Sequence, residues 1–447
     1  MATYSSIYNI TEYGAVPDGV TDASPAFREA LRACAKAGGG TVYVPAGKFL
    51  TGPLELHSNT TLYLDAGALL RFSEEPSDYP VVESRWEGVQ RKVYMSCVYA
   101  KDAENVAVEG NGTLDGCGKP WWRANLAGEL DYPRPKLISF HGCKRVRISG
   151  VRLINSPAWT VNPVLCDDVT VDGVTIQNPA DSPNTDGIDP DSCCSVHISN
   201  CHIDVGDDCI AVKAGTEGTP LRSPTRNVVI TNCTMRHGHG GVVLGSEMSG
   251  GISRVTISNC VFEGTDRGIR MKSRRGRGGA IEDVRVDNIV MDGVLCPFTA
   301  NLYYFCGPGG KDSVVSDKHP LPVTDATPAF RRLRFSNITA RNVRSAAGFF
   351  YGLAEMPVED VALSNISVDM QPNAEPERAE MMAGLEPMSQ HGFFCGNVKN
   401  ISFHRVLVRG HKGPAFHVEN GENLDFDGCR ACNDGETFPL TDWEGAR

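Results

Sequence analysis

Four polar clusters stand out by residue type and spacing. Asn184-Thr185-Asp186, Gly206-Asp207-Asp208, Gly238-His239-Gly240 and Arg270-Met271-Lys272 occur in that order. Asp186, Asp208, His239 and Arg270 follow one another at steps of 22, 31 and 31 residues. Three carboxylates gathered at one place repel. The repulsion raises the pKa of at least one and divides them into a proton donor and proton acceptors. General acid and general base hydrolysis needs that division. An imidazole and two cations beside them would offset the charge and hold an anionic ligand. Arg270 and Lys272 are separated by one residue, so on a strand both emerge on one face and both reach a single carboxylate. Any one cluster reads equally well as a turn, because turns use Asp and Asn heavily. Four clusters at regular steps do not. Asp191 and Asp204 fit the turn reading, and His237 reads as surface as readily as site. The basic run Lys272-Ser-Arg274-Arg275-Gly-Arg277 reads as a rim for an acidic saccharide ahead of a nucleic-acid patch.

These residues meet only if the chain returns to the same side with each step. It carries a repeat that does so. Short alternating segments end in Gly or Asn: Val146-Arg-Ile148-Ser-Gly150, Val169-Thr-Val171-Asp-Gly173, Val196-His-Ile198-Ser-Asn200, Val228-Val-Ile230-Thr-Asn232 and Val255-Thr-Ile257-Ser-Asn259. Further copies end at Asn288, Asn337 and Asn365, with a weaker one at Ile401-Ser-Phe403. From Gly150 the steps are 23, 27, 32, 27, 29, 49 and 28 residues. Such a period marks a solenoid, and alternation of period two makes its units strands. A strand this short buries its apolar face only by stacking on its equivalents. The fold expected is all-β, a right-handed parallel β-helix, with the Asn side chains forming a ladder. A leucine-rich repeat lacks support, because its spacing and its helices are missing. Each coil then returns one strand spacing, roughly 4.8 Å, further along. Cys201, Cys233 and Cys260 follow the ladder Asn and read as small stacked apolar residues.

The ends and long steps differ. Ser24-Pro25, the apolar stripe Phe27, Ala30, Leu31 and Cys34, and the stop Gly38-Gly39-Gly40 predict a short helix capping the N-terminal end of the solenoid. The cap spans about residues 1–50 and the coils about 51–430, in one domain over 1–447. Insertions are expected around Leu295–Phe330, with its Gly307-Pro-Gly-Gly turn, and around Gln371–Phe394. Such loops border binding faces.

Composition narrows the partners. Of 447 residues, 41% are hydrophobic and 22% charged, which describes a folded chain. A net charge of −11 argues against nucleic acid as a general partner. No apolar run is long enough for a membrane helix. The N-terminal Met-Ala-Thr-Tyr-Ser-Ser lacks a signal pattern, so a cytoplasmic location is expected, or secretion if a signal was trimmed. The 16 cysteines show no disulfide framework, and Cys429-x-x-Cys432 lacks two further zinc ligands. No metal and no cofactor is expected. The sequence is compatible with an oligomer.

The ordered set of clusters resembles the polygalacturonase family of glycoside hydrolases, family 28, exo-acting bacterial type. The opening Tyr13-Gly-Ala-Val-Pro-Asp-Gly and Thr41-Val-Tyr-Val-Pro-Ala-Gly are similar to that family's N-terminal region, and the likeness runs from about Tyr8 to Asn420. The resemblance implies inverting hydrolysis of α-1,4 bonds between galacturonate units. It implies Asp207 as general acid, Asp186 and Asp208 activating water, and His239 tuning the acid. It implies Arg270, Lys272 and Asn184 as substrate-binding residues. An inverting pair is expected roughly 6.5–9.5 Å apart, or a little closer in so cramped a site. Two departures stand: Gly241-Val242-Val243-Leu244-Gly245-Ser246 is one residue longer than the usual segment after Gly-His-Gly, and Met271 stands between the two cations.

A chain without a signal would meet short imported oligogalacturonides, so exo action is expected, with the two insertions as candidate walls. The rival enzymes are hydrolases of rhamnogalacturonan or xylogalacturonan and a calcium-dependent lyase. The non-enzymatic rival is a β-helical carbohydrate-binding protein.

Overall fold

The repeat's final Gly or Asn has a conformational cause. In the computed structural model, Gly150, Gly173, Asn200, Asn232, Asn259, Asn288, Asn337 and Asn365 all have φ between 54° and 75°. This is the left-handed region, which Gly enters freely and Asn better than other residues. Gly150, Gly173, Asn200 and Asn232 mark the bend between two strands of a coil, and Asn259, Asn288, Asn337 and Asn365 lie inside longer strands. The predicted ladder forms where Asn amides reach the neighbouring coil. Asn288 donates to Asn259 at 2.8 Å and Asn365 to Asn337 at 2.6 Å. A separate pair at the opposite end of the repeat segment joins Asn423 to Asn400 at 2.7 Å. Asn200 donates instead to Asp172 at 2.7 Å.

The structure describes residues 6–307, 309–433 and 439–443. The first five residues, part of the N-terminal stretch read above, and Pro308 of the predicted turn lie outside them. The backbone divides into two compact units, Met1–Asp208 and Cys209–Arg447.

In the first unit, three columns of parallel strands stack coil on coil. One runs through Gly40–Val44, Thr60–Leu64, Glu104–Gly110, Lys144–Ser149, Asp167–Asp172 and Cys194–Ser199. A second runs from Gly47–Thr51 to His202–Val205. The third holds Leu54–Leu56, Val98–Lys101, Ile138–His141 and Val161–Val164, and continues in single bridges to Ile188 and Asp191. Register is in phase with the repeat: Val146, Val169 and Val196 stack, as do Ile148, Val171 and Ile198, all buried. The helix Ser24–Lys36 forms as predicted and buries Ala26, Phe27, Ala30, Leu31 and Cys34. Its cap differs in detail, because Ala23 precedes it and Ser24 bonds Asp22.

The second unit repeats the plan with longer strands, from Thr225–Thr231 through Ile252–Glu263, Ala280–Asp292, Ala329–Val343 and Val358–Met370 to His391–Arg409. A parallel column holds Ile210–Val212, Val242–Gly245, Arg267–Lys272, Cys296–Asn301 and Ala346–Tyr351. The architecture is a parallel β-helix of right-handed type, as expected. The insertions are shorter than read. Cys296–Asn301 and the strand from His391 belong to the coils. Among the described residues, no helix is long and apolar enough to cross a membrane.

Candidate active site

In the first unit, a tight turn presents Asp186. Ser182 and Thr185 share a hydroxyl contact at 2.5 Å, and Asn184 between them is left-handed at φ 53°. Asn178 holds the turn from below through Thr185 O and Thr160 Oγ1. The Asp186 carbonyl accepts from Thr160 N at 2.8 Å, and Gly187 N donates to Asp208 O at 3.0 Å. Asp186 and Asp208 therefore occupy successive coils, as the spacing predicts. Gly206 makes the approach feasible, since a Cβ there would stand 2.4 Å from Ser182 O and 2.7 Å from Pro179 O. Asp208 N donates to Asp207 Oδ1 at 2.9 Å, fixing the rotamer of Asp207.

The outcome is three carboxylates with oxygens within 4.8 Å of one another. Asp186 and Asp208 are buried and Asp207 is half-buried. This is the only such gathering of candidate ligands among the described residues, and it is made of oxygen donors alone. Asn184 is exposed, and its Oδ1 accepts from Arg134 Nη2 at 2.8 Å.

In the second unit, His239 sits in the turn before Val242–Gly245. Its Nδ1 meets Asp266 Oδ2 at 3.0 Å, which fixes the ring orientation. Burial raises the Asp266 carboxyl, but the hydrogen bond from His239 and the charges of Arg267 and Arg344 outweigh it and hold it below the usual range. Four residues on, Arg270 and Lys272 share one face of the strand Arg267–Lys272. Both lie over the Tyr304 ring, at 5.6 and 5.2 Å from its centroid. Arg270 is 1% exposed, and its Nε and Nη2 grip Glu380 at 3.0 and 2.5 Å. Glu380 comes from the second insertion and was not singled out in the sequence.

Residues 34–377 match the family model described as glycosyl hydrolases family 28. The chain belongs to that family. It is a glycoside hydrolase. A probable polygalacturonase of Vitis vinifera is 35% identical over 379 residues, covering 82% of this chain and 75% of that one. An endo-polygalacturonase of Pectobacterium carotovorum subsp. carotovorum is 33% identical over 305 residues, covering 63% and 72%. The crystal structure of a hyperthermoactive exopolygalacturonase from Thermotoga maritima superposes with a TM-score of 0.77 at 29% identity, covering 90% of this chain and 91% of that one.

Within this hydrolase, one departure from the motif has a structural role. Met271 is fully buried and stacks between Leu244 and Ala300, so the residue between the cations serves the core. The basic run is not a rim. Arg274, Arg275 and Arg277 are buried. Arg274 and Arg277 share Glu217, both at 2.6 Å, and Arg275 grips Glu355 at 2.7 and 2.9 Å. Their counter-charges lie far away in sequence, which is why the run read as unpaired. Asp191 is more than a turn residue, since it is buried and paired with Arg85 at 2.8 Å. His237 is exposed and left-handed, which fits the surface reading.

Arg85 belongs to an antiparallel hairpin, Val81–Trp86 with Val89–Tyr94, that the sequence reading missed. It covers the third column of the first unit, on the coils just before Asp186. Lys136 donates to Arg85 O and Asn162 Oδ1, and Ser84 meets His141. Trp86 stacks on Trp159 at 5.1 Å. The signal was present: Glu87-Gly88 between two alternating segments is a two-residue hairpin turn, and both residues have positive φ.

Proposed function

We propose that this enzyme is a polygalacturonase that hydrolyses α-1,4-galacturonosyl bonds of oligogalacturonides, inverting and exo-acting. The observation that carries the reading is the group Asp186, Asp207 and Asp208, three carboxylates within 4.8 Å. At that distance the carboxylates do not ionise independently, and their repulsion favours a division into a proton donor and proton acceptors. Asp207, the most exposed of the three, is the acid that protonates the leaving oxygen. Asp186 and Asp208 take a proton from the attacking water. The family likeness gives His239, oriented by Asp266, the part of tuning the acid. Lys272 meets a galacturonate carboxylate. Arg270, already gripped by Glu380, fixes the face it shares with Lys272.

Exo action is supported by the Val81–Tyr94 hairpin, which occupies the face a longer chain would need on the coils preceding Asp186. Inversion rests on the family likeness. Proton NMR of the first product should show the β anomer. A time course on defined oligogalacturonides should release one short product from one end. Random product lengths would overturn exo action, and no cleavage would overturn the activity. Asp207→Asn should lower kcat by at least about 10³-fold with the fold intact. EDTA should leave the rate unchanged, which a calcium-dependent lyase would not tolerate.

A further inference from the structure

One buried cation near the carboxylates belongs to no motif. Arg134 stands on the chain entering the strand Ile138–His141 and is 1% exposed. Its Nη1 donates to Pro157 O at 3.0 Å and to Pro183 O at 2.8 Å. Its Nη2 donates to Asn184 Oδ1 at 2.8 Å. All three acceptors are neutral oxygens. A buried guanidinium is costly unless it is hydrogen-bonded and its charge is answered. Here the charge is answered at longer range, by Asp186 and Asp207 and by Glu87 at the hairpin tip. Burial still draws the guanidinium down to about 10.

The three bonds span three places in the chain. Pro157 belongs to the coil below, and Pro183 and Asn184 form the turn that ends in Asp186. Proline at 183 supplies no N–H, and Asn184 holds an uncommon left-handed conformation at φ 53°. The turn therefore needs an outside donor to fix both its carbonyl and its side chain. The planar fork of Arg134 supplies that donor in a single geometry, which a lysine ammonium does not.

We propose that Arg134 is a positioning residue for hydrolysis: acting through Asn184, it sets the turn that places Asp186. This rests on the proposed polygalacturonase activity. It reassigns Asn184 from substrate contact to the same positioning unit.

The test is a double-mutant cycle with Arg134→Lys and Asn184→Ala, read as kcat and KM on trigalacturonate, with circular dichroism to confirm folding. Each single variant should lose at least about tenfold in kcat with KM within about threefold. The double variant should lose no more than the worse single, because both remove one unit. Arg134→Ala should lose more, and added guanidinium should restore at least about tenfold of it. If that variant does not fold, the cycle with Arg134→Lys decides alone. Losses that multiply in the double variant, a rise in KM at constant kcat, or unchanged kcat in both folded singles would each overturn the proposal. A wild-type enzyme inert on trigalacturonate would overturn the activity itself. The cycle would then be read as unfolding free energy, where additive losses count against the clamp.

Discussion

Glu380 holds a negative charge where no water reaches it. Its Oε1 accepts from Arg270 and from Met381 N at 2.8 Å, and its Oε2 from Arg270 and from Thr299 at 3.0 Å. Burial by itself would raise the carboxyl, but the charges of Arg270 and Arg267 overcome it and bring it down to about 2. A carboxylate whose pKa is lower folded than unfolded contributes stability above its unfolded value, near 4.3. That contribution fades as pH falls toward 2. Glu380→Gln removes the buried carboxylate that Arg270 grips through two hydrogen bonds. It should lower the unfolding free energy by about 3–5 kcal/mol at pH 7. Urea titrations between pH 7 and 3 should show the gap to wild type narrowing below about pH 4. A gap that stays constant with pH would mean that Glu380 acts by shape and not by charge.

The hairpin Val81–Tyr94 makes a comparable argument for an element. It is held by the Arg85–Asp191 pair, by Lys136 and by the Trp86–Trp159 stack. Replacing residues 82–93 with a short Gly-Ser link should raise viscosity loss per bond cleaved on polygalacturonate, as the face before Asp186 opens to longer chains. An unchanged ratio would show that the hairpin does not set the mode of attack. The same element shows what the sequence could and could not reveal. The coils were legible because each repeat carries its own cause, alternating apolar residues ending in a left-handed Asn or Gly. The three aspartates were legible because coil spacing converts directly to position. Arg85, Arg134, Glu217 and Glu380 were not, because each acts through a partner about 50 or more residues away. No periodicity connects such partners. The run from Arg274 to Arg277 was misread for the same reason.

At the scale of the whole molecule, the cysteines are a consequence of stacking. Each coil needs small residues at its bends, and thiols fill them while donating to backbone carbonyls. Cys201 reaches Ser199 O at 3.1 Å, and Cys233 and Cys260 reach Thr231 O and Ser258 O at 3.2 Å. All sixteen are free thiols, and twelve are buried. Burial pushes the thiol of Cys117 up to about 11 and that of Cys296 up to about 12, so neither offers much thiolate at neutral pH. A solenoid gains its stability from contacts between neighbouring coils, and no covalent link has to close it. Thiol titration of the native enzyme with DTNB should therefore detect Cys432 at once and Cys194, Cys306 and Cys429 more slowly. The remaining twelve should react only after denaturation. Dithiothreitol should leave Tm unchanged. A native count well above four would mean that the coils open on the time scale of the reagent. A lower Tm under reduction would mean that a cross-link contributes to holding them.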